Sequence, residues 1–129
     1  MVVRYLRKGW VDSKETVEVF LTQVKNLLSD SSNLYIVQKT DRPREFTERY
    51  GIKHEMVCSQ ICELDVGNYS YTDKDDNRMI GGDFLFFGQF ILPPIVDVAL
   101  EIYIKLKIRR KVVCMSFHEA EFQLDYPYN

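Results

Sequence analysis

Residues 100–118 read LEIYIKLKIRRKVVCMSFH, and this stretch decides the fold. In its first half isoleucine and leucine alternate with polar residues, the period-two pattern of a strand with one face in a core. In its second half Val113, Met115 and Phe117 alternate in the same way. The stretch therefore predicts two antiparallel strands joined by a short basic turn.

The register of this predicted hairpin follows from its apolar residues. If Arg109 and Arg110 form the centre of an even-length turn, the apolar residues of the two strands face one another. The expected pairs are Leu106 with Val113, Ile104 with Met115 and Ile102 with Phe117. A slip by one residue would bury the lysines, so this register is favoured. The opposite, polar face is then expected to carry Glu101, Tyr103, Lys105, Ser116 and His118.

The first half of the chain predicts helices. Asp12 or Ser13 can cap a helix whose apolar residues recur every three or four positions over residues 17–28. Gly51 is suited to end a short second helix, and residues 54–64 predict a third.

The strands cluster in the second half, after one short strand at residues 34–38. Residues 65–82 are polar and predict a surface loop, residues 83–91 a buried strand, and the alternating aromatic tail, residues 119–129, a final edge strand. Helices followed by consecutive strands indicate an α+β fold in a single domain, with the N-terminal helices packed on one face of a small antiparallel sheet.

Composition limits the classes of function. Seventeen basic and nineteen acidic residues give a formal net charge of −2, so the whole chain does not attract nucleic acid or an anionic membrane. Three cysteines without a disulfide spacing, and no signal peptide or membrane span, indicate a reduced, cytoplasmic protein. A Gly-rich phosphate loop, a GxSxG motif and paired CxxC motifs are absent from the sequence.

Chemistry is concentrated on the polar face of the hairpin. Tyr103, Lys105 and His118 can supply an acid, a base and a cation, the groups that metal-independent RNA cleavage by the 2′-hydroxyl requires. The plain alternative is a solvated sheet face, where lysine and serine are common without any catalytic purpose.

A local basic patch adjoins this face. Five basic residues fall within seven positions and can hold an RNA backbone, or simply form a solvated turn. They are Lys105, Lys107, Arg109, Arg110 and Lys111.

Two further groupings suggest metal binding. His54, Cys58 and Cys62 follow an i, i+4, i+8 spacing along one helix face, which fits buried core cysteines better than a zinc site. The acidic cluster at residues 73–76 begins like a calcium loop but has Phe84 where the closing glutamate belongs. We therefore expect no metal and no cofactor.

The C-terminal sequence resembles the motility quorum-sensing regulator (MqsR) toxins of bacterial toxin–antitoxin pairs. Three runs carry the likeness: EIYIKLKI at residues 101–108, VVCMSFH at residues 112–118 and EFQLDYPY at residues 121–128. The segment LDVGNY at residues 64–69 is also similar to the one that leads into the sheet of that family.

The resemblance implies a RelE-like ribonuclease that cleaves messenger RNA without a metal and is silenced by a cognate antitoxin protein. By position, Tyr103 and Lys105 match the family's Tyr-x-Lys strand, and His118 stands where a lysine often follows Ser-Phe. Where the family has a basic residue shortly after the aspartate-aromatic element, the nearest match in this sequence is Tyr71, with Lys74 further on, and Gln89 matches a glutamine of the preceding strand. The resemblance thus assigns catalysis to Tyr103, Lys105 and His118, and RNA binding to Tyr71 and Gln89 alongside the basic patch.

The alternative is a non-catalytic protein-interaction domain that has kept a toxin-like fold. Such a domain would use the aromatic tail and the basic turn to bind a protein partner.

Overall fold

A five-stranded sheet and three helices form the computed structural model, which describes residues 9–37, 41–74 and 82–129, with residues 41–45 described in their backbone only. The helices are α1 (Lys14–Leu27), α2 (Asp41–Tyr50) and α3 (His54–Cys62), and the strands are β1 (Leu34–Ile36), β2 (Tyr69–Lys74), β3 (Asp83–Ile91), β4 (Leu100–Ile108) and β5 (Val112–Glu119). The strand order is β1-β5-β4-β3-β2. The predicted α+β class is confirmed, but the sheet is mixed rather than wholly antiparallel, because β1 runs parallel to β5.

The start of α1 and the end of α2 agree with their sequence signals, whereas α3 ends at Cys62, two residues before the predicted end. Ser13 caps α1, since its hydroxyl accepts a hydrogen bond from the backbone N–H of Thr16 at 3.2 Å. Gly51, with φ of 65°, follows α2 in the left-handed conformation that favours glycine. Across the described ranges, no helix has the length and apolar character needed to span a bilayer.

Strand β2 corrects the prediction that residues 65–82 form a polar loop. A 3₁₀ turn, Val66–Asn68, leads into β2, and Tyr69 at its start is fully buried. Aromatic residues and threonine favour a strand when they can pack against a neighbouring strand, and β2 pairs with β3. Ser70 is the extra residue of a β-bulge in this pair. Residues 75–81 of the predicted loop lie outside the described residues.

The predicted hairpin exists, but its predicted register is wrong. A three-residue turn, residues 109–111, replaces the even-length one, and Met115 is an extra residue in β5. The observed pairs include Ile108 with Val112, Leu106 with Cys114, Ile104 with Phe117 and Tyr103 with His118. Val112 and Cys114 are consequently buried in the core, where the even-length register had placed Val113 and Met115.

One face of the sheet packs on the helices and forms the main core. Alternate residues of β4 face this core and are fully buried: Ile102, Ile104 and Leu106. We call the other side of the sheet the second face. It carries a smaller apolar cluster of Tyr71, Phe84 and Phe86, against which Tyr103 and Met115 pack.

The C-terminal tail, residues 120–129, crosses the second face and does not form the predicted edge strand. It passes over Gly88 of β3, where an added Cβ would lie 1.9 Å from the Tyr126 hydroxyl and 2.6 Å from Leu124 Cδ1. Tyr126 donates a hydrogen bond of 2.6 Å to Glu101, and Tyr128 donates one of 2.5 Å to the backbone carbonyl of Asp12. The tail therefore forms a partial third layer.

Replacing Gly88 by alanine tests this placement of the tail. Because the new methyl group would overlap Leu124 and Tyr126, we expect Gly88→Ala to lower the free energy of unfolding by about 1–3 kcal/mol in urea denaturation. In a Leu124→Ala, Tyr126→Ala background the overlapping atoms are gone, so the same change should cost much less. An equal cost in both backgrounds would contradict the close approach of the tail to β3.

Candidate functional site

Tyr103 and His118 form the centre of the candidate site on the second face. They are direct cross-strand partners on β4 and β5. Their ring centroids lie 5.3 Å apart with an angle of 29° between the planes, so the rings stack. Directly opposed residues in an antiparallel pair have closely spaced Cβ atoms, and the strands thus fix this contact.

The backbone sets the proton arrangement of His118. Its Nδ1 lies 2.9 Å from the carbonyl oxygen of Glu119. Because a carbonyl can only accept, Nδ1 must donate, and in the neutral ring Nε2 is then the proton acceptor. No hydrogen bond from the described part of the chain occupies Nε2. The half-exposed imidazole can therefore act as a base through Nε2.

Lys105 lies on the same face, two residues along β4 from Tyr103 and opposite Ser116. Its ammonium nitrogen is 4.5 Å from the ring centroid of Phe84 and 5.3 Å from that of Phe86, within cation–π distance. Phe86 in turn packs against Tyr103 at 5.6 Å. The cation therefore extends toward β3, one aromatic ring away from the Tyr103–His118 pair.

The predicted basic patch divides into two environments. Lys107 is 1% exposed, with its ammonium 5.3 Å from the Phe84 ring, so it belongs to the interior of the second face rather than to an exposed patch. Arg109, Arg110 and Lys111 are exposed in the turn, where Lys111 donates a hydrogen bond to the carbonyl of Ser32 at 3.1 Å. Six residues of strand, about 20 Å, separate Arg109 from Tyr103.

Tyr71 is connected to the site through the ring of Phe86, whereas Gln89 lies on the opposite side of the sheet. Tyr71 stacks on Phe86 with centroids 4.2 Å apart and planes 5° apart. Gln89 alternates with the second-face residues of β3 and so lies on the helix side of the sheet. Its buried Oε1 has no hydrogen-bond partner among the described residues, and the side chain lines a small cavity with Asn68 and Asn129.

Sequence reasoning missed the part of the site that the tail supplies. Phe122 lies with its ring centroid 6.0 Å from that of Tyr103. Tyr126 donates a hydrogen bond to the Glu101 carboxylate. Burial is the main cause that raises the pKa of the Tyr126 hydroxyl, and this hydrogen bond is the second. The alternation of aromatic residues in the tail was visible, but nothing in it indicates which surface the tail covers.

The cysteines and acidic residues that suggested metals are placed differently. His54 Nε2 lies 3.1 Å from the carbonyl of Leu34, and Cys58 faces the core as its position on the helix predicted. Among the residues described, no three His, Cys, Asp or Glu side chains are grouped so that they could hold a metal ion. Asp73 is the second-to-last residue of β2, and residues 75 and 76 of the acidic cluster lie outside the described residues.

Comparison of the chain with models of protein families, with curated proteins and with solved structures finds no match.

Cysteine reactivity gives a test of the described core. Burial raises the pKa of the Cys114 thiol from 9.0 to about 12 and also raises the pKa of Cys58, and only the thiolate reacts quickly with disulfide reagents. At pH 8 in the folded protein we expect half-exposed Cys62 to be labelled first and Cys114 only on unfolding. Peptide mass spectrometry after timed labelling measures the order. Rapid labelling of Cys114 in the folded chain would contradict its burial.

Proposed function

We propose that the protein is a metal-independent endoribonuclease that cleaves messenger RNA and acts as the toxin of a bacterial toxin–antitoxin pair. The observation that carries the proposal is the direct pairing of Tyr103 with His118, with Lys105 two residues along β4 on the same face. The resemblance of residues 101–128 to MqsR toxins supports the biological role and a cognate antitoxin as partner.

The chemistry assigned to these residues balances without a metal. His118 Nε2 takes the proton of the RNA 2′-hydroxyl, whose oxygen forms a bond to phosphorus. The bond from phosphorus to the 5′-oxygen breaks, and the Tyr103 hydroxyl protonates the departing oxygen, leaving a 2′,3′-cyclic phosphate and a 5′-hydroxyl. The Lys105 ammonium stabilises the negative charge that builds up on the phosphoryl oxygens. Proton exchange with water restores both groups.

A second candidate is a non-catalytic protein-interaction domain, favoured by apolar side chains around the β3–β4 connection. Four of them are more than 60% exposed: Phe90, Leu92, Ile95 and Val98. Contiguous patches of exposed apolar residues often mark protein-binding surfaces. This role predicts a stable protein complex and no effect on RNA.

Purified protein incubated with messenger RNA should produce fragments ending in 2′,3′-cyclic phosphate, in the presence of a chelator. His118→Asn and Tyr103→Phe each remove a proton-transfer group and should slow cleavage by about 10²- to 10⁴-fold, measured by gel electrophoresis of end-labelled RNA. Lys105→Gln should lower the rate by a similar amount if it stabilises the transition state.

Two matched variants serve as controls. His54→Asn changes the only other histidine, and Tyr35→Phe changes an exposed tyrosine on β1 at the opposite edge of the sheet from β2. Both should cleave RNA at nearly the unmodified rate. Intact RNA under all conditions, or equal losses in the controls and the site variants, would count against the ribonuclease.

A further inference from the structure

Phe122 is an exposed aromatic side chain beside the candidate catalytic pair. It follows the end of β5 by three residues, and 55% of it is exposed. Its ring lies 6.0 Å from Tyr103 with an angle of 64° between the planes. Because this is an inclined contact and not a stack, it leaves ring surface open to a planar ligand.

The tail holds Phe122 in place from both sides. Before it, the backbone N–H of Ala120 donates a hydrogen bond of 2.8 Å to the carbonyl of Glu101. After it, Leu124 is 4% exposed against Gly88, and Tyr126 binds the Glu101 carboxylate. Phe122 is therefore presented by an anchored segment, which lowers the entropy lost when a ligand binds to its ring.

We propose that Phe122 is the stacking platform for a nucleobase next to the scissile phosphate, so that the substrate is RNA in single-stranded form. This inference rests on the proposed function, which places the phosphate at Tyr103 and His118. Proteins that bind unpaired RNA stack its bases on aromatic side chains next to groups that contact the backbone. The row Phe122, Tyr103, His118 has ring spacings of 6.0 and 5.3 Å, and it offers both kinds of group to adjacent parts of one strand.

Phe90 has a similar exposure but a different environment. It is 65% exposed on the same second face, and its cross-strand partner is Glu101. A carboxylate repels the RNA backbone, whereas Phe122 contacts Tyr103 instead. Stacking is therefore assigned to Phe122 and not to exposed phenylalanine in general, and Phe90 becomes the matched control.

Binding of a single-stranded 2′-O-methyl RNA oligonucleotide, which cannot be cleaved, tests the inference by fluorescence anisotropy. Phe122→Ala should weaken binding by about 5- to 100-fold, and Phe122→Trp should retain it. Phe122→Leu keeps an apolar side chain that packs on the sheet but lacks a ring, and it should bind as weakly as Phe122→Ala. Phe90→Ala should change binding less than about twofold.

An oligonucleotide series with one abasic position identifies the contact. The abasic site should weaken binding to the unmodified protein when it falls at one particular position of the strand. The oligonucleotide with that abasic site should bind the Phe122→Ala variant almost as well as the intact oligonucleotide does, because the two changes remove the same interaction. Equal effects of Phe122→Ala and Phe90→Ala, or a fully additive abasic effect, would overturn the stacking role even if cleavage is observed. Phe122-dependent binding without any cleavage would support stacking and overturn the ribonuclease.

Discussion

The extra residue in β5 is the constraint on which the candidate site depends. The three-residue turn shifts the pairing by one position relative to the expected register, and the bulge at Met115 shifts it by one more. Because side chains alternate with a period of two, the first shift exchanges the faces of β5 and the second restores them. Cys114 is therefore buried near the turn, whereas His118 beyond the bulge lies on the second face, opposite Tyr103.

The position of the tail depends on a second constraint, the absence of a Cβ atom at Gly88. Only a residue without a Cβ allows Leu124 and Tyr126 to approach β3 so closely. Burying Leu124 contributes about 1.5–3 kcal/mol, and the hydrogen bond from Tyr126 to Glu101 adds to it. Tyr128 near the end of the tail bonds the backbone of Asp12, and the Asp12 carboxylate accepts a hydrogen bond from Thr72, so that the tail, β2 and the segment before α1 are tied together.

The sequence predicted those elements whose signal is local. The helix cap at Ser13, the glycine after α2 and the strand at residues 83–91 agree with the structure, since capping, φ preference and periodicity act over a few residues. Strand β2 and the tail depend on distant partners, β3 and Gly88, which no local pattern reveals. The assignment of Tyr103 and His118 to one face was correct although their expected partners were not, because the turn and the bulge displace β5 by an even number of positions.

The environment of Lys105 bears on the proposed function, because a slightly acidic chain would need a local positive charge to hold RNA. An exposed ammonium is hydrated and screened, and its attraction to a phosphate is weak. Lys105 and Lys107 lie over the Phe84 ring, which replaces part of that water with an aromatic face. A phosphate at Tyr103 would meet a partly dehydrated Lys105 near a low-dielectric cluster, where each charge counts for more. The net charge of −2 is therefore a poor guide to this face, because the local environment of one lysine matters more than the total charge of the chain.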